Sequence, residues 1–170
     1  MNEVRYDTPP KDVDYSLPSV FLAGPTVRSH QTHLTSWRPN AVALFWAKGF
    51  EGNVFIPEFS EGPEAAPYVC DIIEWEFQRL TRCDVIMFWI PRTEELIGLT
   101  TNHEHGYWLA RDRCKVVYGR PDGAYKTHYL DYMWAKDCKD RHGDATSVPP
   151  ICRTLEETVN AVLKKLEEKS

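Results

Sequence analysis

The sequence predicts an α/β protein built on a doubly wound, parallel, five-stranded sheet with helices on both faces. Two observations carry this reading. Short apolar runs without polar alternation recur along the chain, as strands covered on both faces require, and the clearest is Val85-Ile86-Met87-Phe88-Trp89-Ile90. Stretches with helical spacing lie between them, and strand–helix alternation with right-handed crossovers winds into such a sheet. With no internal repeat, a polar arm over residues 1–17 and a single domain over 18–170 are expected.

The elements follow in order. Residues 1–17, with Pro9-Pro10, read as a loosely attached arm. Residues 19–23 form a buried strand stopped by Gly24-Pro25. A polar loop over 26–35 follows at the strand end, a position that often carries function. Ser36 is placed to cap the next helix, Pro39 is tolerated in its first turn, and Ala41, Val42, Leu44, Phe45 and Ala47 give it an apolar face. Residues 53–57 are the second strand, and 58–67 a loop rich in Pro, Gly and Glu. Over 70–82 the apolar stripe is Ile72, Ile73, Phe77 and Leu80; Glu76 falls on it, whereas Glu74 and Arg79 do not.

Residues 84–90 form the third strand, and a helix carrying Glu104 follows. Residues 115–119 are the fourth strand, and the aromatic segment 125–134 is a helix or an ordered loop. A polar, loop-like stretch over 136–147 leads to a short fifth strand at 148–152. Thr154-Leu155-Glu156-Glu157 is a capping box, and Val159, Val162, Leu163 and Leu166 form the packing face of the last helix.

Composition excludes several classes. The net charge of −5 gives no global basic field for nucleic acid or anionic membrane. No apolar run reaches the roughly 18 residues of a membrane span. The polar, acidic first residues are unlike a signal peptide, so a cytoplasmic location is expected. Five cysteines without a C-x-x-C pair make a disulfide framework or zinc site unexpected, and Cys70, Cys83 and Cys114 read as buried thiols. His103 and His105 stand two apart, a poor metal pair on a helix, and H-E-x-x-H is absent. No metal or cofactor is expected. The dinucleotide, P-loop and nucleophile-elbow glycine motifs are missing too.

What remains is a set of polar groups at the carboxyl ends of the first and third strands, where open α/β sheets bind ligands. They are Gly24, Pro25, Thr26, Arg28 and Ser29; Arg92; and Asn102 with Glu104. Glu104 is expected in the first turn of its helix. There it is either an ordinary first-turn glutamate or a nucleophile stabilised by the helix N-terminus. Glu76 joins the set if its face reaches this end; otherwise it is an edge residue or the partner of a core arginine. Asn102 either caps its helix, or orients Glu104 or bonds a ligand hydroxyl. Arg92 contacts substrate or pairs with Glu94 or Glu95. Arg28 and Ser29 could hold a phosphate in the arginine fork, or simply lie on an exposed loop. Two carboxylates flanking a pocket can split a glycosidic bond, one attacking the anomeric carbon while an acid protonates the leaving group.

Phe21-Leu22-Ala23-Gly24-Pro25, Ser36-Trp37-Arg38-Pro39, Val54-Phe55-Ile56-Pro57-Glu58, Glu74-Trp75-Glu76, the strand ending Ile90-Pro91-Arg92, and Thr100-Thr101-Asn102-His103-Glu104-His105-Gly106 occur in an order that resembles the nucleoside 2-deoxyribosyltransferase-like family. The resemblance implies a flavodoxin-like sheet and a glutamate nucleophile, Glu104, that forms a deoxyribosyl-enzyme later released to a base or to water. It implies that Glu76 holds or protonates the base and that Gly24 and Pro25 floor the sugar. Gly98 stands where related transferases carry an aspartate, and Val20 and Phe21 where they tend to carry an aromatic hydroxyl. The implied substrate is a small nucleoside, or alternatively a nucleoside 5′-monophosphate; a catalytically silent nucleotide-binding module is the other alternative. No nucleic-acid polymer and no membrane is an expected partner. A homodimer or larger homo-oligomer is implied, with Asp131 and Tyr129 as candidates to close a neighbour's pocket.

Overall fold

The computed structural model describes residues 1–60, 69–142 and 148–169. Its strands are β1 (Asn2–Val4), β2 (Ser19–Ala23), β3 (Asn53–Phe55), β4 (Val85–Trp89) and β5 (Val116–Gly119). The helices are α1 (Arg38–Ala47), α2 (Val69–Arg82), α3 (Leu99–Asp112), α4 (His128–His142) and α5 (Leu155–Glu167). The strands form one parallel sheet in the order β1-β3-β2-β4-β5. This is a doubly wound α/β arrangement consistent with the flavodoxin-like fold, as the alternation predicts.

Side chains alternate across β2. Val20 and Leu22 enter one core with Ala41, Val42 and Phe45 of α1 and Val159 and Val162 of α5. Phe21 and Ala23 enter the other, with Leu80 of α2, Trp108 and Leu109 of α3, and Leu130 and Trp134 of α4. The predicted capping box of α5 is present, Thr154 accepting from the Glu157 amide while the Glu157 side chain reaches back. After β2 the chain turns outward to β3 on one side and to β4 on the other. That reversal opens a crevice at the carboxyl end of β2, the usual ligand position in such sheets.

Several expectations are corrected. The N-terminal stretch is not a loose arm: β1 is a sheet edge, with Asn2 opposite Asn53 and Val4 opposite Phe55. Its backbone finds a partner in β3, and Val4 is buried in the core. The fifth strand is therefore this one. Residues 148–152 contribute only an isolated bridge between Cys152 and Gly119. The inward face of α2 is rotated from the expected stripe. Ile73 and Phe77 are exposed, whereas Arg79 is buried with its guanidinium over the Trp75 ring. Trp75 packs against Phe21 and Phe55 and sets that orientation. Trp37, not Ser36, occupies the N-cap of α1. Cys83 is buried, but Cys70 and Cys114 are exposed, because they project from the outer side of α2 and from the turn after α3. The aromatic segment is helical from His128. Most of the expected loop over 58–67, and residues 143–147 of the polar stretch, lie outside the described residues.

One buried side chain ties the layers together at the crevice. Arg38, 1% exposed, donates to the carbonyls of Leu22 (3.1 Å) and Gly24 (2.9 Å) and to Glu58 Oε1 (2.8 Å). Ser36 donates to the same Glu58 oxygen at 2.7 Å. Replacing Arg38 with Met strands these carbonyls and the carboxylate. Urea unfolding of Arg38→Met is expected to show a loss of about 3–5 kcal/mol, the usual cost of removing one partner from a buried ion pair.

Candidate active site

The crevice is floored by the β2–α1 turn. Gly24 is buried with φ +150°, and a Cβ there would lie 2.2 Å from the Trp89 carbonyl oxygen, so only glycine lets β2 and β4 end this close together. Pro25 is buried behind it, its carbonyl accepting from the Trp37 indole at 3.1 Å. Thr26 is half-buried, and Arg28 and Ser29 are exposed at the rim.

Glu104 is delivered by α3. The helix starts at Leu99, and Gly98 before it is left-handed (φ 61°). A Cβ at Gly98 would meet the Pro25 ring at 2.9 Å, so α3 is seated directly on the crevice floor. This start puts Glu104 in the second turn rather than the first. Its carboxylate thus lies beyond the free amides of the helix end, where dipole stabilisation fades. Burial raises its pKa from 4.5 to about 7; the charge of Glu76 adds to the rise and Arg38 opposes it.

Glu76 comes from the inward face of α2 and is half-buried. Burial also raises its pKa, against the Tyr6 hydrogen bond and the charges of Arg38 and Arg28. Two carboxylates that repel each other in one partly desolvated space resist ionising together, and Glu104 keeps its proton into the neutral range. Tyr6, just beyond β1, donates its hydroxyl to Glu76 Oε1. Its ring packs between Phe59 (5.0 Å) and Trp75 (4.9 Å). Burial first, and then the neighbouring Glu76, push the phenol well above its ordinary pKa, so it stays a neutral donor.

The structure thus gathers Glu104, Glu76, Gly24, Pro25 and the charge of Arg28 around one crevice. Sequence reasoning missed Tyr6, Arg38 and Glu58 as its supports. Arg38 and Glu58 lay inside quoted motifs, Ser36-Trp37-Arg38-Pro39 and the end of the β3 run. Tyr6 carried no signal, because nothing in a polar N-terminal stretch announces an edge strand.

Three expected site residues stand elsewhere. Asn102 is two residues from Glu104, about 200° around the helix, so it points away from it. It accepts from Arg92 Nη2 at 2.7 Å. Arg92 is buried and also donates to the Lys126 carbonyl at 3.3 Å, pairing with neither Glu94 nor Glu95. Asp131 accepts from the Tyr118 hydroxyl (2.8 Å) and from both Nε and Nη2 of Arg120, closing the end of β5. Asn102 lines a separate groove between α3 and α4, a cavity of about 340 Å³ that also touches His105, Gly106, Leu130 and Met133. His105 is fully buried among Phe88, Tyr118 and Trp134, and burial lowers its pKa to about 4, which keeps it neutral. No group of side chains suited to a metal ion occurs among the described residues, and none of the described helices is long and apolar enough to cross a membrane.

A doubly wound sheet with a pair of mutually repelling carboxylates at its switch point belongs to a class of sites suited to acid–base and nucleophilic chemistry on a small ligand. Residues 17–122 match the family model described as nucleoside 2-deoxyribosyltransferase like, and the chain belongs to that family. Comparison with the curated proteins gives no match. The matched span includes Glu104, Glu76 and Arg38 but begins after Tyr6.

The raised pKa of Glu104 has a measurable consequence. Between pH 4.5 and about 7 the folded protein holds a proton that the unfolded chain releases. Stability contributed by this group is therefore full below pH 4.5 and falls as pH rises through 7. Glu104→Gln keeps the neutral form throughout. Its stability is expected to match wild type near pH 4.5 and to exceed it by about 1–3 kcal/mol near pH 8, as read by denaturant unfolding at the two pH values.

Proposed function

We propose that the protein cleaves the N-glycosidic bond of a 2′-deoxynucleoside, with Glu104 as nucleophile and Glu76 as the group that manages the proton of the base. The observation carrying this reading is the convergence of both carboxylates, over Arg38, on the crevice at the end of β2. The Glu104 carboxylate attacks C1′; the C1′–N bond breaks and its electron pair goes to the base, which takes the shared proton by way of Glu76. An ester between Glu104 and the sugar remains. A second base or water then attacks C1′ and gives up its proton to Glu76, and the ester opens to regenerate the Glu104 carboxylate. Gly24 and Pro25 floor the sugar, and Thr26 faces its edge. Family membership supports glycosyl chemistry on a nucleoside.

A second substrate reading, the nucleoside 5′-monophosphate, is favoured by one observation. The Arg28 side chain is exposed at the rim, makes no ion pair among the described residues, and is close enough for its charge to act on Glu76. Such a fork suits a phosphate. The catalytic test uses a panel of deoxynucleosides and their monophosphates. Wild type is expected to release free base and Glu104→Gln to lose at least about a thousand-fold in rate, in line with loss of a covalent nucleophile. Mass spectrometry of the soaked wild type is expected to show a deoxyribosyl adduct on Glu104. Thermal stabilisation by these ligands without base release from wild type would leave a binding module instead.

We also propose a homodimer formed through the α3–α4 face. Leu99 of α3 and Tyr129 and Tyr132 of α4 are 76%, 73% and 63% exposed, and Tyr129 lines the groove with Gly106. Large apolar side chains gathered this way mark an association surface. Sedimentation is expected to give a dimer for wild type and a monomer for Tyr132→Glu.

A further inference from the structure

We infer that Tyr6 is a positioning residue for Glu76: its hydroxyl, delivered by the β1 edge strand, occupies one carboxylate oxygen and sets where the proton shared with Glu104 rests. This rests on the glycosidic-cleavage reading above for its consequence in catalysis, but not for its physical content.

The placement of Tyr6 is over-determined. β1 is locked to β3 by its register and by the Ile56 amide donating to the Val4 carbonyl at 2.8 Å. The Tyr6 amide then donates to the Glu58 carbonyl at 3.4 Å. The phenol is clamped by Phe59 and Trp75, and Trp75 immediately precedes Glu76 on α2. One tryptophan therefore fixes both the donor ring and the helix turn that carries its acceptor.

The charged and titratable groups around the Glu76 carboxylate are Tyr6 from beyond β1, Arg38 from α1, Arg28 from the rim loop and Glu104 from α3. Arg38 acts on both carboxylates, so it does not choose between them. Among the described residues the Tyr6 hydroxyl bonds Glu76 and not Glu104, and the Arg28 charge favours the same carboxylate. A neutral donor stabilises the carboxylate form of its acceptor, so Glu76 ionises first and the remaining proton sits on Glu104. The nucleophile is thereby masked in the empty crevice. The second oxygen of Glu76 carries no bond from Tyr6 and is the one placed to take up that proton and pass it to a base. The proton moves from Glu104 through Glu76 to the base nitrogen as the C1′–N electron pair arrives there, which leaves Glu104 a carboxylate at the moment of attack.

The test is Tyr6→Phe, which keeps the ring and removes the donor. For the wild type a bell-shaped rate profile is expected, with the singly protonated pair as the active form. A hydrogen bond to a charged group is worth about one pH unit or more. The acid limb in Tyr6→Phe is expected to move to higher pH by about one unit, with the alkaline limb moved less. A purely packing role would lower the rate equally at every pH and leave both limbs in place, and that result would overturn the inference. Carbon-13 titration of the glutamate carboxyls is independent of turnover. It is expected to show Glu76 ionising about one unit higher in the variant, whereas coincident curves would overturn the inference. Should the wild type cleave no substrate, the glycosidic reading fails while this titration still decides the role of Tyr6. Should Tyr6→Phe not fold, the Tyr6 Cζ resonance of the wild type is expected to follow the ionisation of Glu76, and a flat resonance through that range would count against the contact.

Discussion

Arg38 joins the end of β2, the start of α1 and the segment after β3 through four acceptors: the carbonyls of Leu22, Gly24 and Pro25, and the Glu58 carboxylate. Strand ends in a parallel sheet leave carbonyls facing the crevice, and a buried carbonyl without a partner is costly. A guanidinium answers several at once because its donors lie in one rigid plane. Glu58 neutralises the charge from the other side and is held by Ser36. The crevice can therefore be polar at its floor, and Arg38, though paired with Glu58, still favours the ionised forms of the two carboxylates above it.

Those carboxylates are in tension with their surroundings. Burial raises the pKa of both, and Arg38 lowers it. The outcome is a pair that keeps one proton near neutral pH. The cleavage proposed above, which joins attack on carbon to protonation of a leaving base, needs that state. Delivering Glu104 from the second turn of α3 contributes to it, because a first-turn carboxylate bonded to free amides would hold no proton at neutral pH.

The sheet was legible in the sequence wherever strands were buried on both faces, since continuous apolar runs such as 85–90 have few other interpretations. β1 was not, because three residues with one buried side chain carry no periodic signal and owe their conformation to β3. The face of α2 was misjudged for a related reason. Apolar spacing pointed to Ile73 and Phe77, but the burial of Trp75 against the sheet, with Arg79 folded beneath it, outweighed them. At the site, Glu104 and Glu76 stood out because carboxylates near strand ends are conspicuous. Asn102 and Arg92 stood out equally and lie on the other side of α3, a distinction that required the exact start of the helix.

The seating of α3 on Pro25 limits how this sequence can change. A side chain at position 98 and the ring at position 25 claim the same volume, and the left-handed backbone at 98 disfavours any side chain in its own right. An acid cannot be added there as an isolated step, as Pro25 and the turn that sets the start of α3 would have to change with it. The two positions, far apart in the chain, therefore behave as one unit of variation. A lineage holding the glycine must draw any further acid for the crevice from another position.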